Sequence, residues 1–107
     1  MNLQPVLLSL VEAQNNHDSK AYAECFTDTA IAHDEGKTYK GKEEIRQWIE
    51  KANREYNAVM KPLDYSESEA ENLLTAEVSG DFPGSPAILK YHIRMENVLI
   101  SSLRITG

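Results

Sequence analysis

The sequence has a single cysteine, no long apolar run and no basic cluster, and each shortage removes a class of protein. Cys25 has no partner for an internal disulfide, which is typical of proteins in a reducing compartment. No apolar run approaches the roughly 20 residues that a membrane span needs. The first residues, MNLQPVLLSLVEAQ, lack the basic start and the uninterrupted apolar run of a signal peptide. We therefore expect a soluble cytoplasmic protein that makes no membrane contact.

Charge and metal-ligand patterns narrow the possible partners further. The chain carries 11 Lys and Arg residues against 17 Asp and Glu, a formal net charge of -6. Because clustered cations hold the phosphates of nucleic acids, this balance argues against a nucleic-acid partner. The histidines, at positions 17, 33 and 92, have no metal-ligand spacing, and no glycine-rich phosphate loop is present. We expect neither a metal nor a cofactor.

The first part of the chain has helical spacing. With 107 residues and 12.1 kDa, the chain has the size of one domain, residues 1–107. Residues 3–16 read as an amphipathic helix, because apolar residues recur at three- and four-residue intervals: Leu3, Leu7, Leu10 and Val11. Asp18 can cap a second, shorter helix that ends near Thr27. Its apolar side is formed by Tyr22, Cys25 and Phe26.

A hairpin and a third helix follow. Ala30 to Asp34 is predicted as a strand, Gly36 as its turn, and Thr38 and Tyr39 as a short return strand. The helix from Lys42 to about Ala58 has one apolar face, formed by Ile45, Trp48, Ile49, Ala52 and Tyr56.

The rest of the chain alternates with period two, which is typical of strands with one buried face. In residues 72–82 the apolar positions are Leu74, Ala76, Val78 and Phe82. In residues 87–95 they are Ala87, Leu89, Tyr91, Ile93 and Met95. A last strand covers about 98–106, with Leu99, Leu103 and Ile105 on one face. Residues 62–69 are the weakest strand and read as an edge, because Pro62 cannot donate a ladder hydrogen bond.

This order of elements predicts an α+β fold in which three N-terminal helices cover one face of a curved antiparallel sheet. Such a sheet, capped by helices, forms a cone with a cavity. The segment GDFPGSP, residues 80–86, is predicted as a loop at the rim of the cone.

The order of the helices and strands, together with the stretch DTAIAHDEGKTYKGKEEIRQWI, resembles that of the nuclear-transport-factor-2-like superfamily. This superfamily includes the SnoaL-like and ketosteroid isomerase-like proteins. The matching residues are Asp28, the small apolar residues 30–32, the pair of His33 and Asp34, Gly41, and the helix residues Glu44, Ile45 and Trp48. The resemblance covers essentially the whole chain. It implies a cystatin-like cone with a pocket between helices and sheet, and homodimers formed through the sheet.

The resemblance also implies one catalytic residue. Asp34 falls where ketosteroid isomerase keeps its general base. The isomerase uses two donors to its oxyanion, a tyrosine in the first helix and a protonated aspartate on a late strand. Leu10 occupies the first position here and Tyr91 the second, so the isomerase's donor pair is incomplete in this sequence.

The residues themselves leave alternatives open at each candidate site position. Asp34 is either a base whose pKa is raised by an apolar cavity or a turn aspartate bonded to nearby backbone. His33 points to the opposite side of the strand, where a structural or interface role is favoured. Tyr91 is either a hydrogen-bond donor to a ligand or a core tyrosine. The remaining candidates are either core or pocket wall: Tyr22, Trp48, Tyr56 and Leu89.

Two functional hypotheses follow. The first is a small-molecule-binding pocket protein, an isomerase, dehydratase or cyclase without cofactor, acting on an apolar or carbonyl-containing ligand. Asp34 would be its base and Tyr91 its donor. The second is a non-catalytic dimeric binding or scaffolding module whose cone is filled by its own side chains. An open cavity that holds both Asp34 and Tyr91 would favour the first hypothesis.

Overall fold

A computed structural model describes residues 1–107 and contains three helices and one six-stranded sheet. The helices are α1 (Pro5–Asn15), α2 (Ser19–Glu24) and α3 (Gly41–Tyr56). The strands are β1 (Phe26–Asp34), β2 (Lys37–Lys40), β3 (Val59–Glu67), β4 (Asn72–Ser79), β5 (Ala87–Glu96) and β6 (Leu99–Thr106). The predicted α+β class is confirmed. None of the helices combines the length and the apolar character that crossing a membrane requires.

Local sequence signals set the ends of the helices. Pro5 stands in the first turn of α1, where its missing N–H costs nothing. The Asp18 side chain caps α2 by accepting a hydrogen bond from the Ala21 amide at 3.0 Å. At the start of α3, the Glu44 carboxylate accepts a hydrogen bond from the Lys40 amide at 2.9 Å. These contacts satisfy backbone donors that have no partner inside a helix.

The curved sheet has the strand order β2-β1-β6-β5-β4-β3. Its neighbours are antiparallel except β1 and β6, which run parallel. The sheet predicted as antiparallel therefore contains one parallel pair. Hairpin connections force antiparallel pairing only between strands that follow one another, and β1 and β6 are far apart in the chain.

One hydrophobic core lies between the helices and one face of the sheet. The helices contribute Leu7, Leu10 and Ile45, each fully buried, and the sheet contributes Leu74 and Ile93. The period-two pattern of β4 and β5 is therefore the pattern of this buried face. Because the sheet is curved, its hollow is wider than the helices fill, and a cavity remains near one end of α3.

The boundary between α2 and β1 differs from the prediction. The second helix was predicted to end near Thr27, but α2 ends at Glu24 and β1 begins at Phe26. Phe26 pairs with Ile100 of β6, and the Cys25 carbonyl accepts a hydrogen bond from the Ile100 amide at 2.9 Å. This long-range pairing overrides the helical spacing of the apolar residues. Cys25 itself is buried with a free thiol.

The end of β4 also differs from the prediction. The strand was predicted to reach Phe82 but ends at Ser79, because the chain turns against the end of α3. The Tyr56 carbonyl of α3 accepts a hydrogen bond from the Asp81 amide at 2.6 Å. A Cβ atom on Gly80 would lie 2.5 Å from the same carbonyl oxygen, so only glycine allows this approach. The turn leaves Phe82 in a loop at the rim of the cavity.

β3 is an edge strand, as predicted for this region, although it begins at Val59 and thus earlier than the predicted 62–69. Its pairing with β4 shifts register between Pro62 and Asp64. Such an irregularity, together with a proline, limits the pairing that an exposed edge offers to other chains.

Candidate functional site

A mainly apolar cavity of about 390 Å³ lies between α3 and the concave face of the sheet and is called here the main cavity. Ten of its fifteen lining residues are hydrophobic. The fifteen lining residues are Gln14, Tyr22, Asp34, Glu35, Ile49, Ala52, Asn53, Tyr56, Ala58, Val78, Phe82, Pro83, Leu89, Tyr91 and Ile105. An apolar cavity with a few polar groups is the usual form of a small-molecule site. The cone is therefore not filled by its own side chains.

Asp34 reaches the main cavity because of a tight hairpin. Asp34 pairs with Lys37, which leaves Glu35 and Gly36 as a two-residue turn with φ of 51° and 77°. The turn makes Asp34 the last residue of β1, on the same face as buried Ala32. His33 points to the opposite side, where its Nδ1 lies 3.0 Å from the Thr38 hydroxyl. The predicted separation of His33 from Asp34 is confirmed.

The surroundings of Asp34 oppose its ionisation. Burial raises the pKa of the Asp34 carboxyl, and the negative charge of Glu35 raises it further. Hydrogen bonding from the Trp48 side chain and from the backbone of Glu35 acts in the opposite direction and lowers the pKa. The balance leaves the pKa above the ordinary value for aspartate, which makes Asp34 a stronger base once it is ionised.

Strand register brings Asp34 and Tyr91 to the same level of the sheet. His33 pairs with Arg104 of β6, which puts Asp34 beside Ile105, and Ile105 pairs with Tyr91 of β5. Neighbouring strands lie about 4.8 Å apart, so the backbones of Asp34 and Tyr91 are roughly 10 Å apart across β6. Both side chains line the main cavity. The spacing leaves room for a ligand between the carboxylate and the phenol.

Two buried phenols line the inner part of the cavity. Tyr91 is 5% exposed and Tyr22 is 2% exposed. Neither hydroxyl has a hydrogen-bond partner in the protein, and both reach the open space of the cavity, since Thr27 Oγ1 is the one fully enclosed side-chain polar atom without a partner. Burial raises the pKa of Tyr91 far above the ordinary tyrosine value, and the charge of Asp34 adds to this effect. Burial likewise raises the pKa of Tyr22. Both phenols therefore stay protonated and can donate a hydrogen bond to a bound molecule.

Gln14 is a polar wall residue that the sequence analysis missed. It continues the helical spacing of Leu7 and Leu10, and that position was the available signal that it faces inward. Gln14 is 8% exposed, and its Nε2 donates to Asn53 Oδ1 at 3.1 Å and to the Ala58 carbonyl at 2.9 Å. These two bonds fix the amide and leave its Oε1 as an acceptor without a protein partner.

A second depression adjoins the main cavity. This side groove, of about 530 Å³, shares Asp34, Glu35, Ala52 and Tyr56 with the cavity, and we call these four shared residues the neck. In the groove, Trp48 stacks on Tyr39 with ring centroids 5.2 Å apart and planes 19° apart. Two lysines, Lys37 and Lys51, also line the groove.

The structure brings most of the predicted site residues together, with one exception. Asp34, Tyr91, Tyr22, Tyr56 and Leu89 line the main cavity. Trp48 was predicted as a cavity wall residue but lines only the side groove, because its ring is held between Tyr39 and Tyr22. The cavity also contains Glu35 and Phe82, which the sequence analysis did not select; both lie in turns, where side-chain direction does not follow strand or helix periodicity.

No group of three or more His, Cys, Asp or Glu side chains is arranged to hold a metal ion.

A curved sheet packed on three helices around this cavity is the architecture of the nuclear-transport-factor-2-like superfamily. Residues 7–98 match the family model of the SnoaL-like domain. The chain belongs to the SnoaL-like domain family. No curated protein sequence matches the chain.

Solved structures support the same assignment. A Sinorhizobium meliloti protein described as a candidate polyketide cyclase is 31% identical, with a TM-score of 0.92 over 97% of this chain and 95% of that one. A Catenulispora acidiphila protein with a ketosteroid isomerase-like fold, solved with trimethylamine, is 16% identical, with a TM-score of 0.88 over 99% and 87% of the two chains. A cystatin-fold protein from Novosphingobium aromaticivorans is 20% identical, with a TM-score of 0.80 over 100% and 99%. The last two show the fold alone.

Proposed function

We propose that the protein binds a small carbonyl-containing molecule in the main cavity and moves a proton on the carbon beside the carbonyl. The observation that carries the proposal is that Asp34 and Tyr91 line the same apolar cavity. Asp34 is a carboxyl group with a raised pKa, and Tyr91 is a buried phenol without a protein partner. A positioned base, a donor and a dry cavity are sufficient for this chemistry without a cofactor.

The chemical step follows from the two groups. Asp34 accepts the proton from the α-carbon, the C–H bond breaks, and its electron pair moves onto the carbonyl oxygen to form an enolate. Tyr91 donates its O–H to that oxygen, and the raised pKa of Tyr91 keeps the proton on the phenol. Tyr22 supplies a second donor from α2, on a different element from the first-helix tyrosine of ketosteroid isomerase. Asp34 then returns its proton to the enolate at the same or another carbon.

The reaction class is an isomerisation, dehydration or cyclisation, since each can begin with an enolate. The 31% identical structure described as a candidate polyketide cyclase supports this class. The walls formed by Leu89, Tyr56 and Phe82 favour an apolar body for the substrate. The open cavity supports a ligand-binding protein over a module packed with its own side chains.

Proton abstraction can be measured without the natural substrate. Acetophenone is incubated with the protein in D₂O, and deuterium incorporation at its methyl group is followed by NMR. We expect exchange above the buffer rate in the wild type and none in Asp34→Asn. Tyr91→Phe should lose about 100-fold, the size of effect seen when one oxyanion donor is removed.

Asp28→Asn is the matched control, because Asp28 lies on the same strand with an exposed side chain. Its exchange rate should equal that of the wild type. If acetophenone binds but no protein, wild type or variant, accelerates deuterium exchange, catalysis is rejected and the protein is a non-catalytic binding protein. Exchange that is unchanged in Asp34→Asn would reject Asp34 as the base.

We also propose a homodimer formed through the outer face of the sheet, away from the helices. This face carries acidic Glu77 and basic Lys90, Arg94 and Arg104 on β4, β5 and β6. Ile88, which is 49% exposed, lies among them. A two-fold axis lets such a face, with charges of both signs and an exposed apolar residue, pair with its own copy.

We propose a cytoplasmic location for the protein. Its one cysteine, Cys25, is a buried free thiol, which fits a reducing compartment. Fractionation of cells that express the tagged protein tests this proposal, and recovery in the membrane or secreted fraction would contradict it.

A further inference from the structure

The wall of the main cavity carries charge of one sign only. Asp34 and Glu35 line it, and no Lys, Arg or His side chain does. A ligand that brings a carboxylate or a phosphate into this cavity meets two negative charges and no cation. Asp34 is half-buried, so its charge is less screened than the exposed charge of Glu35, and together the two carboxylates make the wall disfavour anions and favour a cation.

The carboxylates gather around an aromatic ring at the neck. The negative charges of Glu35, Glu55 and Asp34 each raise the pKa of Tyr56, with Glu35 the largest cause. Tyr56 also lines the side groove together with Asp34, Glu35 and Glu55. The Phe82 ring meets Tyr56 edge-on at a centroid distance of 6.1 Å and lines the same cavity. Aromatic rings beside carboxylates are the usual surroundings of a bound ammonium group.

We propose that the ligand is a small amino-carbonyl compound, with its ammonium group at the neck between Glu35 and Tyr56 and its carbonyl oxygen at Tyr91. The inference rests on the proposed function and deepens it, because it assigns a charge to the substrate. The apolar body of the ligand would lie along Leu89 and Ile105, which line the cavity on the same sheet face as Tyr91.

Polar atoms without a protein partner line the cavity and fit these two ligand groups. The hydroxyls of Tyr91 and Tyr22 can donate to a carbonyl oxygen. Gln14 Oε1 is an acceptor, and its side-chain nitrogen is already committed to Asn53 and Ala58. A ligand with both an acceptor and a donor can therefore bond to these atoms, which are accessible from the cavity.

The two lysines of the side groove do not reverse this selection. Lys51 pairs with Glu55 at 3.8 Å, and Lys37 lies on β2 outside the main cavity. The groove also contains Glu44, so its own charges include both signs. An ammonium at the neck would in addition favour the ionised form of Asp34, which is the form that accepts a proton.

Three acetophenones that differ only in one substituent test the inference. 4-(Aminomethyl)acetophenone carries a cation, acetophenone is neutral and 4-acetylbenzoate carries an anion, while all three present the same ketone. Their dissociation constants are measured by calorimetry at low salt. We expect the amine to bind roughly ten-fold more tightly than acetophenone, and the benzoate at least ten-fold more weakly. High salt should reduce both ratios.

Variants locate the charge selection. In Glu35→Gln the ratio between the amine and acetophenone should fall toward one. Glu96→Gln is the matched control, because Glu96 is an exposed residue at the end of β5 and does not line the cavity. Its ratio should equal that of the wild type. Equal binding of the amine and acetophenone to the wild type, or a ratio unchanged in Glu35→Gln, would overturn the inference.

The failure of this inference can be told from the failure of the proposed function. If acetophenone binds and exchanges deuterium in an Asp34-dependent way, but the amine binds no better, only the charge assignment falls. If the amine binds more tightly and none of the ketones exchanges deuterium, the charge assignment stands and the proposed proton transfer is rejected. If none of the three compounds binds, both proposals fail.

Discussion

The carboxyl group of Asp34 lies where burial and a neighbouring carboxylate both oppose its ionisation. Because its pKa is raised in the folded protein, the folded state holds the proton more tightly than the unfolded chain does. The protonated Asp34 carboxyl therefore contributes its full stabilisation at pH values below its pKa in the unfolded chain. This contribution is lost as the pH rises through its pKa in the folded protein. At neutral pH the ionised carboxylate costs stability, which is a common trade at a functional site.

Glu35 carries a second local cost. Its φ of 51° is in the left-handed region, where Asn and Gly are favoured and a longer side chain is strained. We predict that Glu35→Asn raises the free energy of unfolding by about 0.5–1 kcal/mol, because the tight turn is relieved. Chemical denaturation followed by circular dichroism measures the change.

Glu35→Ala is the control for this prediction, because it removes the same charge and keeps a side chain poorly suited to the left-handed region. It should leave the free energy of unfolding nearly unchanged. An equal gain in both variants would show that charge repulsion, rather than the backbone, is the cost at this position.

At the scale of elements, the end of α3 is held against the turn after β4. The Tyr56 carbonyl and Gly80 meet there, and the contact places Tyr56 and Phe82 at the rim of the cavity. We predict that Gly80→Ala destabilises the fold by about 1–3 kcal/mol, since a new Cβ would overlap the carbonyl oxygen. It should also weaken binding of acetophenone, because α3 must shift away from the sheet.

Gly84→Ala is the matched control in the same loop. A Cβ atom at Gly84 meets nothing within 4 Å, although its φ of 86° imposes a backbone cost. Its thermal midpoint should fall by less than that of Gly80→Ala, with ligand binding retained. Equal loss of ligand binding in the two variants would contradict the role given to the contact between Gly80 and Tyr56.

The sequence predicted helices and strands well where a segment showed a single clear spacing of apolar residues. Alternation in β4 and β5 identified the buried faces, and strand parity separated His33 from Asp34. It was wrong at Phe26, where apolar spacing fits a helix and pairing with Ile100 of β6 decides for a strand. Such pairing depends on residues distant in the chain, and no local pattern contains it.

At the scale of the whole molecule, the site exists because β6 lies between β1 and β5. This order puts Asp34 and Tyr91 on one row, although they belong to separate halves of the chain. The resemblance to the superfamily pointed to Asp34 and Tyr91 as matching positions, but neither it nor the residues supplied the strand order that brings them together. The position of turn residues such as Glu35 in the cavity wall was not predicted, because neither periodicity nor the resemblance indicates where a turn side chain points.

The same sheet gives the prediction for assembly. If the outer face pairs with its own copy, light scattering should give a mass twice the 12.1 kDa of the chain. Ile88→Lys should shift the mass toward the monomer, because it replaces an exposed apolar residue of that face with a cation. Val98→Lys is the control, since Val98 is an exposed apolar residue in the turn between β5 and β6. A wild-type mass near 12.1 kDa at high concentration would contradict the dimer.

The central claim is that Asp34 acts as a base inside the cavity, and its protonation can be observed directly. Carbon-13 NMR of the aspartate carboxyl groups, assigned with Asp34→Asn, follows the titration of Asp34 with and without acetophenone. We predict a pKa above the ordinary aspartate value in the free protein, because the carboxyl is partly buried beside Glu35, and a further rise when the neutral ketone displaces water. An ordinary pKa that does not respond to the ketone would contradict the claim.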